Sequence, residues 1–351
     1  MKPINLKSIA FLIAGLSGSG GTQRMLSILV NHLVKSYDVS IFVNVSGAPY
    51  YDLDKKVKIV KLPKGLLKKN FFIYKFFKKN NTAFYINLDS NSVLFNGFLL
   101  PTKTKLIVWE HFSLESNYDK FIYKVSRFYA ILKAYKFVLL SKNEITDWKS
   151  KMKLSDSKMV LIQNPVSINQ PLNPENKYNY KKVVAIGNNP KVKGFDILIK
   201  AWRTIRTDWE LDIIGLAESE NDVLINQYNI NKTEKINLLG KVKNMEEVYA
   251  NSSIFVLSSR KEAVPLVLIE SQCFGLPAVV FSHLTSAVDI VQDSALIADY
   301  NEPIKSLVNN LKSLIEDKDL YYSLHEKALI NRENFSQSLF FQEWGKLVGN
   351  D

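Results

Sequence analysis

Between Ser8 and Phe281 the sequence alternates short apolar runs with stretches patterned as helices, and this alternation restricts the possible folds more than any other feature. In the first half the runs are Ser8 to Ala14, Asp38 to Val45, Val57 to Leu62, Ala83 to Leu88, Lys105 to Trp109 and Phe137 to Leu140. After the first of them Met25, Leu26, Leu29, Val30 and Leu33 recur at helical spacing, and helical patterns fill most of the other gaps. Strands alternating with helices call for a parallel sheet covered on both faces. Ligands of such sheets bind beyond the carboxyl ends of the strands. A second alternating series has strands at Val183 to Ile186, Glu210 to Ile214, Ile236 to Leu239, Ile254 to Leu257 and Ala278 to Phe281, with a helix over Phe195 to Ile205. The stretch between the two series, Asn169 to Tyr180, is rich in Asn and Pro and lacks apolar periodicity, so it reads as a linker. The expected organisation is α/β, with one domain over residues 1–168, a hinge at 169–180, a second domain at 181–334 and a C-terminal helix at 335–351 that returns to the first domain.

The composition is that of a globular chain long enough for two domains: 351 residues, 46% hydrophobic and 23% charged. A net charge of +12 implies attraction to anions, which leaves nucleic acid, anionic lipid and phosphorylated substrates all open. The single cysteine, Cys273, lies in an apolar helical stretch and reads as a small buried residue of a reducing compartment. The segment Ile9 to Leu16 is too short to span a bilayer and leads into a glycine loop, so it reads as a strand and not as a signal peptide.

Chemistry concentrates in a few stretches. The glycine loop Gly15 to Gly21 follows the first strand, but Gln23 stands where a dinucleotide fingerprint needs its third glycine. The second strand ends Phe42-Val43-Asn44 without an acid for a ribose, and no Gly-Lys-Ser/Thr follows the loop, so neither NAD nor a P-loop nucleotide is expected. The loop reads either as a close approach of backbone to ligand or as a tight turn. His111, at the carboxyl end of a strand, is placed for a substrate hydroxyl or a proton, although a lone His is more often structural. No second His or Cys stands at ligand spacing, so no zinc site is expected. The basic and aromatic stretches Lys61 to Asn80 and Tyr118 to Lys136 read either as ordinary amphipathic helices or as a surface for anionic membrane. Having two in one basic half favours the membrane.

In the stretch Ser258 to Pro277, Glu262 and Glu270 stand eight positions apart around Ala263-Val264-Pro265 and the apolar run Leu266 to Ile269. With Pro265 in a helix's first turn, free amides there form a phosphate site, Glu262 lies in the loop before it and Glu270 one turn inside. Lys193, at the carboxyl end of another strand of the same sheet, is placed to clamp that phosphate.

In order, GSGGTQR, WEHF, NPKVKGFDILIKAW and SSRKEAVPLVLIESQCFGLP resemble the retaining nucleotide-sugar glycosyltransferases of GT-B fold, family four. The resemblance covers nearly the whole chain and is strongest at Glu262 through Glu270. It implies two doubly wound Rossmann-like domains facing each other across a cleft, and a donor that is a nucleotide-diphosphate sugar, with no further cofactor and no metal. By motif, Glu270 would bind the ribose and Glu262 would lie beside the donor sugar. Amides around Val264, Pro265 and Leu266 would hold the pyrophosphate with Lys193. His111 would contact the sugar near the anomeric carbon, and Gly20 and Gly21 would make room for it. One departure stands out: Asn188 occupies the place after Gly187 where the family commonly has Arg, leaving Lys191 or Arg260 to supply the second charge. The implied activity is retaining transfer, from a UDP-sugar, onto a lipid-linked glycan in bacterial O-antigen or capsule assembly. The expected location is cytoplasmic, peripheral on the inner face of the membrane. A sugar-nucleotide epimerase, a phosphorylase and a basic module binding membrane or nucleic acid remain alternatives at this point.

Overall fold

The computed structural model describes residues 7–114, 120–169, 171 and 177–349. The chain forms two compact units: one runs to Ser167 and is rejoined by the chain from Ser338, and the other is Ile168–Gln337. In the first, the strands β1 (Ser8–Ile13), β2 (Asp38–Val43), β3 (Lys58–Lys61), β4 (Thr82–Asn87), β5 (Lys105–Trp109), β6 (Lys136–Leu139) and β7 (Met159–Leu161) form one sheet in the order β3-β2-β1-β4-β5-β6-β7. Every pairing in it is parallel. The described helices are α1 (Gly21–Leu33), α2 (Leu66–Asn80), α3 (Val93–Asn96), α4 (Phe121–Lys133) and α5 (Lys142–Met152). Six of the strands fall within a residue or two of the apolar runs. The seventh, β7, is a short half-buried edge strand whose apolar residues, Met159 to Leu161, lie outside the runs read from the sequence.

The core explains why these elements close on one another. Phe42 of β2 meets Phe77 of α2 edge-on, Phe77 meets Tyr85 of β4, and Phe137 of β6 meets Trp148 of α5. The C-terminal helix Gln337–Gly349 packs its buried Trp344 on Trp109 of β5, with ring centroids 4.9 Å apart. Burying side chains of this size contributes about 3 kcal/mol each.

The second unit repeats the plan. Its strands β8 (Lys182–Ile186), β9 (Glu210–Ile214), β10 (Ile236–Gly240), β11 (Ile254–Leu257), β12 (Ala278–Phe281) and β13 (Ala295–Ala298) run in the order β10-β9-β8-β11-β12-β13, again all parallel. Helices α6 (Phe195–Trp202), α7 (Glu218–Tyr228), α8 (Met245–Ala250) and α9 (Leu266–Cys273) connect the first of them. Much of the stretch read as a linker lies outside the described residues. At its far end Lys177 and Tyr178 are buried, Lys177 Nζ donating to the carbonyls of Tyr249 and Phe274.

In each sheet the chain first builds outward on one side of its opening strand and then crosses to the other side. The strand order therefore reverses between β1 and β4 and again between β8 and β11. In open parallel sheets the loops diverge at that point and leave a crevice beyond the strands' carboxyl ends. Gly20 and Gly21 follow β1, and Lys193 and Glu262 follow β8 and β11, at these two places, while His111 follows β5, the neighbour of β4.

Candidate active site

Beyond β8 and β11 the loops Gly187–Gly194 and Ser258–Glu262 are stitched together. The amide of Arg260 donates to the Val192 carbonyl (2.8 Å), and the Ser258 hydroxyl donates to the Lys193 carbonyl (2.8 Å). Gly194 has φ +64°, and a β-carbon there would collide with the Ser258 carbonyl oxygen, so only glycine lets the loops approach so closely. Gly187 serves a different end, because a β-carbon on it would collide with the Lys193 side chain that lies across it. Thus steered, Lys193 Nζ reaches Glu262 Oε1 at 2.6 Å, and the Ser259 hydroxyl donates to the same oxygen at 2.7 Å. The two side chains retain only 16% and 13% exposure. The parallel pairing of β8 with β11 thus brings together two residues that stand 69 positions apart in the chain.

Glu262 precedes the start of α9. Pro265 is the residue before that helix, with ψ 100°, and not a member of its first turn as expected from the sequence. Its carbonyl already accepts from the amides of Leu268 and Ile269, which makes it the cap. Helical geometry leaves the amides of Leu266 and Val267 without intrahelical acceptors, and Val264 lies just outside them, half-buried. The positive end of the helix dipole backs these amides. Glu270, on the same helix, is buried, and the Tyr249 hydroxyl of α8 stands 2.9 Å from its Oε2. Nothing in the sequence around Tyr249 signalled that contact.

The two candidates for the second cation differ. Arg260 spends its guanidinium fork on Asp196, through NH1 to Oδ1 (2.6 Å) and NH2 to Oδ2 (2.7 Å), and gives a further bond to the Lys191 carbonyl. That hydrogen-bonded pairing lowers the Asp196 pKa, and the structure spends Arg260 on fixing the loop. Asn188 and Lys191 are exposed beside it. Cys273 is buried and its thiol is pushed up to about 12 by desolvation, as suits a packing residue.

The other candidates belong to the first unit. Gly20 caps α1 with φ −76° and Gly21 opens the helix, so neither position requires positive φ. Gln23 reaches back over the loop, and its Nε2 donates to the Gly15 carbonyl (3.3 Å). His111 is buried against Trp109, ring centroids 4.4 Å apart, and its Nε2 meets no hydrogen-bond partner among the described residues. Burial lowers its pKa to about 3, so the ring is neutral at physiological pH and offers a hydrogen bond, not a proton. Its neighbour Glu110 was not singled out from the sequence. Glu110 Oε2 accepts from the Ser90 amide and Oε1 from the Phe112 amide, tying the loops after β4 and β5 together. Desolvation first, and then repulsion from Asp89 and Glu144, push Glu110 up to about 8.

Residues 169–330, essentially the unit built around Lys193, Glu262 and Glu270, match the family described as glycosyl transferases group 1. The chain carries a group 1 glycosyltransferase domain. An uncharacterised glycosyltransferase of Haemophilus influenzae is 29% identical to it, covering 97% of this chain and 99% of its own. The amylovoran biosynthesis glycosyltransferase AmsD of Erwinia amylovora is 28% identical, with 97% and 99% covered. A Campylobacter jejuni α-1,4-N-acetyl-D-galactosaminyltransferase, named for a diNAcBac-PP-undecaprenol-linked GalNAc disaccharide, is 25% identical with 98% of each covered. Among solved structures, WaaG, a glycosyltransferase involved in lipopolysaccharide biosynthesis, superposes with a TM-score of 0.75 at 13% identity over 98% of this chain and 100% of its own. HepE of Anabaena, solved with UDP and glucose, does so with 0.76 at 15% over 98% and 100%. The chain therefore has the GT-B fold expected from its sequence.

Proposed function

We propose that this glycosyltransferase retains anomeric configuration, takes its sugar from a UDP-sugar, and extends a lipid-linked glycan in the assembly of a bacterial O-antigen or capsule. The observation that carries this reading is the Lys193 and Glu262 pair at the β8/β11 crevice, set beside the open amides of α9. A diphosphate at the helix start would draw Lys193 away from Glu262 and free that carboxylate for hydroxyls of the donor sugar. Charge developing on the leaving diphosphate would then fall on an ammonium and fixed amide dipoles that need no reorganisation. On this reading no cofactor is required beyond the donor itself. Glu270 takes the ribose hydroxyls, and His111 and the Gly20-Gly21 loop serve the sugar from the first unit. The named substrate of the Campylobacter relative and the UDP held by HepE support the acceptor class and the donor nucleotide.

A membrane-borne acceptor accords with α4. Phe121, Phe128 and Leu132, spaced seven and four apart, form one stripe and are 79%, 57% and 76% exposed, while Ser126, Arg127 and Ala130 face inward. On α2, Leu67 and Phe71 are exposed among lysines, and α3 packs against both helices. No helix among the described residues is long and apolar enough to cross a bilayer. The proposal places the chain at the inner face of the cytoplasmic membrane, lying on anionic lipid through these two helices.

Thermal stabilisation by a panel of nucleoside diphosphates and nucleotide sugars tests the donor assignment, since a ligand bound by the folded state alone raises its stability. UDP and one UDP-sugar are expected to stabilise the protein, Lys193→Ala to abolish the shift, and Glu262→Ala to lose donor turnover with the fold intact. Stabilisation by no nucleotide, or unchanged turnover in Glu262→Ala, overturns the reading.

A further inference from the structure

In the first unit two cavities adjoin beyond the switch between β1 and β4. The inner one, about 340 Å³, lies between the ends of β1, β2 and β4 and the Gly20 loop; the outer one, about 410 Å³, runs from there to the start of α4. Asp89, Ser92 and Phe112 line both. Each cavity has side-chain amide atoms left without a hydrogen-bond partner among the described residues. In the inner cavity these are Asn87 Nδ2 and Asn44 Oδ1, and in the outer one Asn91 Oδ1. Asn87 is 0% and Asn91 7% exposed, and polar atoms orphaned at such depth destabilise the fold unless a ligand satisfies them.

The chemistry of the walls selects the ligand. Among the described residues neither cavity is lined by a Lys, Arg or His, so neither suits a phosphate. One donor amide, two acceptor amides, the Ser92 hydroxyl and the Asp89 carboxylate suit a neutral molecule crowded with hydroxyls. Phe112, 43% exposed on the shared wall, gives a flat apolar surface for the face of a sugar ring. The far end of the outer cavity is formed by Ile122 and Tyr123 of α4, the helix with the exposed apolar stripe.

We propose that these cavities are two consecutive saccharide subsites, the inner for the acceptor's terminal sugar and the outer for the sugar before it, so that the enzyme extends a glycan of at least two residues. Asp89, common to both, accepts a hydrogen bond from a hydroxyl of the terminal sugar. The assignment rests on the transferase reading above and adds the length of the acceptor and the residues that measure it.

Cells lacking the enzyme accumulate its unextended acceptor, and mass spectrometry of their lipid-linked glycans is expected to find two or more sugars on the accumulating lipid. With that glycolipid as substrate, Phe112→Ala and Asn91→Ala are each expected to raise the acceptor KM about tenfold or more, the equivalent of one lost contact. Both variants should melt as the parent does and keep its thermal stabilisation by UDP, because the groups assigned to the nucleotide belong to the other unit. An accumulating lipid with one sugar or none, or an acceptor KM unchanged in both variants, overturns the two-subsite assignment and leaves donor binding standing. If no lipid-linked glycan accumulates while UDP still stabilises the protein, the lipid-linked acceptor is wrong and the subsites fall with it. Absence of any nucleotide effect overturns the transferase reading itself.

Discussion

Gly187 and Gly194 separate two consequences of adding one methyl group. At Gly194 both the positive φ and the Ser258 carbonyl oppose a β-carbon, and backbone cannot step aside cheaply. Gly194→Ala is expected to lower stability by about 3 kcal/mol or more, read by urea unfolding. At Gly187 the obstacle is the Lys193 side chain, which can swing away. Gly187→Ala should therefore fold but weaken UDP binding about tenfold, measured by calorimetry; unchanged affinity would show that the lysine's path does not matter. A second residue-scale effect is pH dependence at Glu110. Its folded pKa, near 8, lies above the ordinary 4.5, so its contribution to stability is full below 4.5 and is lost as pH rises through 8. His111 acts in the opposite sense: lowered from 6.5 to about 3, it contributes stability above 6.5 that is lost as pH falls toward 3. Glu110→Gln removes the first effect alone, so its Tm should gain on that of the parent between pH 5 and pH 8. A constant difference across that range would mean that Glu110 is ionised in the folded protein. The sequence made His111 visible because it ends a strand. Glu110 beside it, Asn87 and Asn91 carried no such signal, since an acid or an amide at a strand end is indistinguishable from a solvated loop residue until burial is known.

At the scale of elements, the most buried strands were the plainest to read. Strands β5, β11 and β12 coincide with their apolar runs because all but one of their residues are buried. By contrast β7 and β13 are edge strands with part-exposed residues, and their apolar residues, Met159 to Leu161 and Ala295 to Ala298, were not read as strands. The helix read over Phe195 to Ile205 ends at Trp202, where the Arg203 amide still bonds into the last turn and the apolar residues continue past the helix into the core. For α4, periodicity could not decide between a core face and a membrane face, because both give an apolar stripe. Exposure decides that Phe121, Phe128 and Leu132 are not core. Replacing all three with Ser should abolish sedimentation with vesicles containing phosphatidylglycerol while changing Tm little, since exposed side chains support little of the fold. Persistent sedimentation would shift the membrane contact to α2 or remove it from this unit.

Two units, each with its own sheet and core, are expected to unfold in two calorimetric transitions. Trp344→Ala, which empties the space beside Trp109, should lower one of them by an amount equivalent to about 3–5 kcal/mol, and UDP should raise the other. The charge of +12 belongs to the whole chain and was its least specific feature, compatible with nucleic acid as much as with lipid. On a membrane surface it acts through a field that extends about 8 Å at physiological ionic strength and about 3 Å in 1 M salt, whereas the apolar stripe of α4 acts by burial and is not screened. Binding to anionic vesicles should therefore weaken strongly, without vanishing, as salt rises to 1 M, and binding to neutral vesicles should be weak at every salt concentration. The same protein should show no binding to single-stranded RNA at physiological salt, because neither of the two saccharide cavities presents a cation among the described residues and the stripe offers exposed apolar side chains in place of a stacking groove. Equal affinity for RNA and for anionic vesicles would mean that the positive field acts alone, and the membrane placement proposed for α2 and α4 would then lose its physical basis.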